Sequence, residues 1–297
     1  MITLRHHVLT IVAVFLALAA GIVLGGGPLS DVGATVATSG DDRAAEPAGD
    51  SPQAAYNESF LTAVEPTLLN GRLTDRSVAI VTVPGADERE VSAIADGIDA
   101  AGGKVSARYS LAEDLVDPSQ KSLVDTLGSQ LLTQQSADAV SAEASTYDRI
   151  GQLLGLAVAS KVAEGEDVNG KARAIVDAIS GAGLMAKPDK VDQRSPLVLL
   201  VLGTDADDEG SDAILAGLAE GLAAQATGLV VAGTTADGAS GQLGRFRSDP
   251  AAAAVASVDG IDTPAGRVAT IVALQRALGT QGGSFGASGS DGPVPVG

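Results

Sequence analysis

The sequence predicts an α/β protein: an N-terminal transmembrane helix, then a doubly wound, mainly parallel-sheet (Rossmann-like) domain, and not a β-barrel. Three observations predict it. Val8 to Leu24 is almost wholly apolar, with no charge between Arg5 and Asp31. Runs such as "SVAIVTV" (Ser77–Val83) and "PLVLLVLG" (Pro196–Gly203) are apolar without alternation, as strands covered on both faces must be. Between such runs lie amphipathic segments opened by capping residues and closed by glycine, the pattern of crossover helices.

The opening stretch decides the compartment. Val8–Leu24 as a helix is about 25 Å long, and Gly25–Gly27 extend it to about 30 Å, the thickness of a hydrocarbon core. Ala17-Leu18-Ala19 offers a signal-peptidase-like cut, but cutting there leaves Ile22-Val23-Leu24 apolar on the mature terminus. An uncleaved signal anchor over 8–27 is the better reading. Ala13, Ala17, Gly21 and Gly25 recur every fourth residue and form a small-residue ridge suited to a homodimer contact in the bilayer; the alternative is chance spacing in an Ala-rich helix. Arg5 before the helix and Asp31, Asp41 and Asp42 after it orient residues 1–7 toward the cytoplasm and the rest outside. His6 and His7 are then interfacial polar flanks.

Residues 28–72 are expected to be a flexible linker, rich in Gly, Ala, Ser, Asp and Pro around "TSGDDRAAEPAGDSPQ", with a short helix and turn at Phe60–Leu73. The α/β domain is placed at 73–279. After the strand Ser77–Val83, Asp87 caps a helix carrying Val91, Ile94 and Ile98, stopped by Gly102-Gly103. "KVSARYSL" (Lys104–Leu111) alternates, with Val105, Ala107, Tyr109 and Leu111 on one side, as an edge strand does. Helices follow near Leu123–Leu132, Thr146–Ala159 and Lys171–Ile179, then the strand Pro196–Gly203. Ser211 is read as the cap of a helix bearing Ile214, Leu215, Leu218 and Leu222. Leu229–Gly233 and Ala254–Asp259 complete five strands, and Thr263-Pro264 open a final helix ending at Gly279. Residues 280–297 are low in complexity and expected to be disordered.

Composition removes several function classes. The formal charge is −18, from 37 acidic and 19 basic residues, and such a surface repels nucleic acid. The absence of cysteine excludes disulfides, thiolate nucleophiles and iron–sulfur clusters, and histidine occurs only at positions 6 and 7. No Ser-His-Asp triad can form in the exported domain, and no serine precedes a lysine by three residues. Abundant Gly and Ala imply small-residue cores with closely approaching elements. "GTTADGAS" (Gly233–Ser240) nearly matches a phosphate loop, but Ala239 stands where lysine belongs, so a glycine-rich turn at a strand end is the simpler reading. Acid pairs at Asp87/Glu88 and Asp207/Asp208 read as solvated loop charges. No catalytic, cofactor-binding or metal-binding residue is predicted, no cofactor is expected, and the protein is expected to be non-enzymatic.

The start "MITLRHHVLTIVAVFLALAAGIVLG", the central "RSVAIVTVPGADEREV" and the C-terminal "VDGIDTPAGRVATIVALQRAL" resemble, in that order, the actinobacterial family named for the mycobacterial copper transport protein. The resemblance implies an envelope protein credited with copper efflux and described as pore-forming in the outer membrane. It also implies a link to cell separation, with a cytoplasmic partner and cell-wall hydrolase control. The family's long heptad helix after the membrane segment has no counterpart in "GGGPLSDVGATVATSGDDRAAEPAGDS", so a dimer built on it is not expected. Copper prefers thiolate, thioether or imidazole, and the exported part offers only Met185. A barrel needs at least about eight alternating segments and aromatic girdles, against one such segment and seven Phe and Tyr here. The expected function is therefore a membrane-anchored interaction domain acting on envelope or cell-division proteins. The alternatives are copper homeostasis and small-molecule sensing at Gly233–Ser240.

Overall fold

A computed structural model describes residues 51–136, 139–186, 188–189, 191–206 and 208–296. The predicted anchor at 8–27, its Ala13/Ala17/Gly21/Gly25 ridge, His6, His7, linker residues 28–50 and Asp207 lie outside the described residues. Among the described residues no helix is long and apolar enough to cross a membrane.

The elements run α1 (Pro52–Leu69), β1 (Ser77–Thr82), α2 (Glu88–Ala100), β2 (Lys104–Ser110), α3 (Glu113–Val116), α4 (Lys121–Leu132), α5 (Thr146–Val158), β3 (Glu166–Asp167), α6 (Gly170–Gly181), β4 (Gln193–Arg194) and β5 (Leu197–Val201). Then follow α7 (Glu209–Gln225), β6 (Gly228–Gly233), α8 (Thr235–Ala239), α9 (Gln242–Phe246), β7 (Ala256–Asp259), α10 (Pro264–Ala277) and β8 (Ser284–Phe285). From Tyr56 onward they form one unit. Its main sheet has six strands in the order β2-β1-β5-β6-β7-β8, and every neighbouring pair is parallel. The sheet is open, with β2 and β8 at its edges. β3 and β4 form a separate antiparallel pair.

The apolar runs are explained by two cores, one on each face. Along β1, Ala79 and Val81 enter one core while Val78 and Ile80 enter the other. β5 divides in the same way, Val198 and Leu200 against Leu197, Leu199 and Val201. The first core is closed by α5, α6 and α7, and the second by α2 and α10. A strand with both faces covered has no position where a polar residue is comfortable, hence the unbroken aliphatic sequence.

β2 is an edge strand, as its alternation predicts, but a register shift opposite Val78/Ala79 leaves Ser106 unpaired in the ladder. Ala107, Tyr109 and Leu111 face the first core, while Val105 packs on the second. One extra residue reverses the side of everything before it, so the predicted common face for Val105 is corrected.

Three further expectations are corrected. The predicted linker 28–72 contains an 18-residue helix, α1, whose Leu69 is fully buried. α7 is capped not by Ser211 but by Asp208, whose carboxylate accepts from Ser211 N at 2.9 Å and from Ser211 Oγ at 2.7 Å. The tail expected to be disordered supplies the sixth strand, β8, with Phe285 only 4% exposed. The caps at Asp87 and Thr263 stand where the sequence puts them.

Candidate functional site

In the order β2-β1-β5, the chain steps from β1 to β2 on one side, then crosses back to add β5 and the later strands on the other, so the winding reverses between β1 and β5. In open parallel sheets, ligands sit outside the carboxyl ends of the strands at such a reversal. The loops there, Val83-Pro84-Gly85 after β1 and Leu202-Gly203-Thr204 after β5, press together. Val83 N donates to Val201 O at 2.9 Å, and Thr204 N donates to Pro84 O at 3.1 Å. Gly85 takes a left-handed backbone (φ +86°), and a methyl at Gly203 would overlap the Pro84 carbonyl.

Beside these joined loops, at the carboxyl ends of β1 and β5, a space is lined by α3 and the first half of α7. It is a cavity of about 340 Å³, at the small end of the range for ligand sites. Val83, Pro84, Val116, Ile214, Leu215 and Leu218 supply apolar wall. Glu113, Thr204 and Asp205 are exposed at it, while Ser211 and Gln242 are buried. Among the described residues no lysine or arginine lines it.

The surrounding charge is negative and ordered. Arg245 of α9 reaches Asp205 (Nη2–Oδ1 2.7 Å) and Asp212 (Nε–Oδ2 2.7 Å). Hydrogen bonds to Asp212 and then Asp205 raise the pKa of Arg245, so it stays protonated. Asp208, beside it in sequence, is held below its ordinary pKa, chiefly by the Ser211 hydroxyl and amide. Among the described residues one guanidinium thus faces the carboxylates of Asp205 and Asp212, with Glu113 and Asp208 adding to the negative side.

Gly233–Ser240 is neither an open phosphate loop nor a loose turn. It is the end of β6 and the capped start of α8: Asp237 N donates to Thr234 Oγ1 at 3.2 Å, and Thr234 N donates to Asp237 Oδ2 at 3.1 Å. Thr235 N donates to Asp262 Oδ1 at 2.8 Å. Two of these amides are bound to carboxylates and the third to a hydroxyl, and none of these residues lines the switch-point cavity.

Asp87 and Glu88 are structural, and of the second acid pair only Asp208, the cap of α7, is described. Asp87 caps α2 and binds Arg89, which lowers its pKa to about 2, and Glu88 pairs with Arg108. Met185 is 2% exposed, bridging Leu111 within the first core. Among the described residues no group of three or more His, Cys, Asp or Glu could hold a metal ion. Sequence reasoning missed Glu113, Thr204, Asp205 and Gln242. The available signal was an acidic loop directly after a doubly buried strand, "LVLLVLGTDADD".

A family model described as "Copper transport outer membrane protein, MctB" matches residues 1–296. Proteins named "Copper transporter MctB" from Mycobacterium tuberculosis and Mycobacterium bovis are each 26% identical over 307 residues, covering 98% of this chain and 96% of theirs. The protein of the same name from Mycobacterium leprae is 25% identical over 314 residues, covering 96% of each chain. The full-length match confirms what the three quoted segments suggest, and the chain belongs to the MctB family.

Proposed function

We propose that this chain serves copper homeostasis in the cell envelope as a non-enzymatic protein tethered through residues 8–27. Its α/β domain acts through other envelope components instead of conducting or tightly ligating copper. The observation that carries the copper reading is the family match across residues 1–296, together with relatives named as copper transporters. This puts copper ahead of the interaction role in cell separation; the names of the relatives lend that role no support.

The chemistry of the chain supports an indirect route. Copper as cargo favours sulfur or imidazole donors. This chain has no cysteine, its two histidines sit at positions 6 and 7, and the thioether of Met185 is walled into the core. A pore of strands needs a closed sheet, whereas this one is open and covered by helices on both faces.

The test is genetic, with a physical control. Deleting the gene should raise cell-associated copper, and chains carrying Met185→Leu or His6→Ala/His7→Ala should restore the parental level. Unchanged copper after deletion would remove the copper reading. Submicromolar copper binding, or single-channel conductance by the purified full-length chain, would overturn the indirect route.

A further inference from the structure

We propose that the cavity at the carboxyl ends of β1 and β5 is a binding site for a small organic cation: a molecule with an apolar body and a protonated amine. The site is distinct in its chemistry from copper handling, because an ammonium group takes hard oxygen acceptors and needs neither sulfur nor imidazole.

The body of the ligand follows from the wall. Ile214, Leu215 and Leu218 of α7, with Val83, Pro84 and Val116, offer aliphatic surface in a space of about 340 Å³. That is far more room than a bare metal ion needs, and among the described residues no three His, Cys, Asp or Glu are grouped to hold one. An apolar ring or chain displaces the water that such a wall holds poorly.

The sign of the polar end follows from the acceptors. Gln242 lines the cavity and is only 6% exposed. Its Nε2 donates to Ser211 O at 3.2 Å, and among the described residues its Oε1 accepts no hydrogen bond. Ser211 Oγ gives its proton to Asp208 and is left as an acceptor. Asp205 and Glu113 are exposed beside them. The cation nearest by, Arg245, is already committed to Asp205 and Asp212. A ligand entering here therefore meets oxygen lone pairs and net negative charge, and a donor-rich cation is matched while a carboxylate or phosphate is repelled. That is the reverse of the anion preference usual at such sheet crevices, where free amides at a helix start attract phosphate. In this chain the Asp208 carboxylate already satisfies the start of α7.

Two probes of one shape and opposite charge separate the outcomes: tryptamine and indole-3-acetate. The full-length chain in lipid nanodiscs is titrated with each, using ligand-observed NMR for contact and calorimetry for affinity, with empty nanodiscs as the blank. We expect tryptamine to bind at least about tenfold more tightly than indole-3-acetate, a difference of about 1.4 kcal/mol. Val116→Trp and, independently, Ala206→Phe fill the cavity from partly exposed positions and should each abolish tryptamine binding, with folding confirmed by circular dichroism. Glu113→Gln should narrow the preference between the probes. Absence of tryptamine binding, equal binding of both probes, or binding that persists in a folded cavity-filled variant would overturn the assignment. Lost copper tolerance with intact tryptamine binding bears on the copper proposal alone, so the two readings fail separately.

Discussion

Arg247 places Nη2 2.7 Å from Oδ1 of Asp259, and Asp259 has no solvent exposure. The pair lies at the end of β7 and fastens the C-terminal segment over it. Arg247 also donates to Phe285 O at 2.7 Å and to Ser288 Oγ at 2.9 Å, and Ser288 N donates to Asp259 Oδ2 at 3.0 Å. Removing one member of a buried pair strands the other charge without compensation, at a cost of about 3–5 kcal/mol. Arg247→Met is therefore expected to lower the unfolding free energy by that order, read as a lower urea midpoint, and to expose the amides of Ser284 and Phe285 to rapid hydrogen exchange. Parental stability in this variant would show that the tail is held by something else.

Tyr109 is fully buried on β2, and among the described residues its hydroxyl has no hydrogen-bond partner. Burial pushes its pKa up to about 12 from the ordinary 10. The folded state thus disfavours the phenolate: the stability tied to this group is intact below pH 10 and is lost as pH rises from 10 toward 12. Tyr109→Phe removes an unsatisfied polar atom and should stabilise the protein by about 1 kcal/mol at neutral pH. It should also flatten the alkaline limb of a denaturation series between pH 10 and 12.

Gly221 of α7 sits against the backbone of α5, where a methyl would collide with the Asp148 carbonyl and the Gln152 amide. Gly217 and Gly151 make similar approaches, so α5 and α7 pack almost backbone to backbone. Gly221→Ala is expected to destabilise by about 1–3 kcal/mol through overpacking. Gly181, at the end of α6, has nothing within 4 Å of an added methyl, and Gly181→Ala should be neutral or stabilising by up to about 1 kcal/mol. Thermal unfolding of the two variants side by side separates helix propensity from packing.

Asp87 has its pKa lowered to about 2 from 3.8, mainly by the hydrogen bonds it accepts from Arg89. A depressed carboxylate contributes while ionised, so its contribution is present above about pH 4 and lost as pH falls toward 2. Asp87→Asn retains a capping acceptor without the charge and should weaken the pH dependence of stability in that window. Urea midpoints measured from pH 5 down to pH 2 check it; an unchanged slope would mean that the Arg89 contact does not persist in solution.

Much of the fold was legible locally. Ser77–Val83 and Pro196–Gly203 announce doubly buried strands because no register of a parallel strand under two helical layers exposes a face. Thr263 before Pro264 marks a helix start because the cap hydroxyl and the proline ring act within one turn, and Thr263 Oγ1 indeed accepts from Gly266 N at 3.1 Å. The candidate site was much less legible. Gly233–Ser240 drew attention through its glycines, yet the cavity formed beside Thr204 and Asp205, one strand away, where the sequence shows only an acidic loop. Neither the place of Gln242 in the cavity wall nor the grip of Arg245 on Asp205 and Asp212 has a local signature.

What the sequence determines alone is therefore what acts within a few residues: the element types, most caps, the two-faced burial of the central strands and the poverty in copper ligands. The tertiary structure decided what depends on residues far apart meeting. It turned "GGSFGASGS" from an expected disordered tail into a sixth strand, because Arg247 and Asp259 offer it a buried anchor. It moved Val105 to the opposite face through one unpaired serine, and it opened a cavity where loops more than 100 residues apart press together. Such contacts cost chain entropy that only the assembled core offsets, so no short stretch of sequence could carry them.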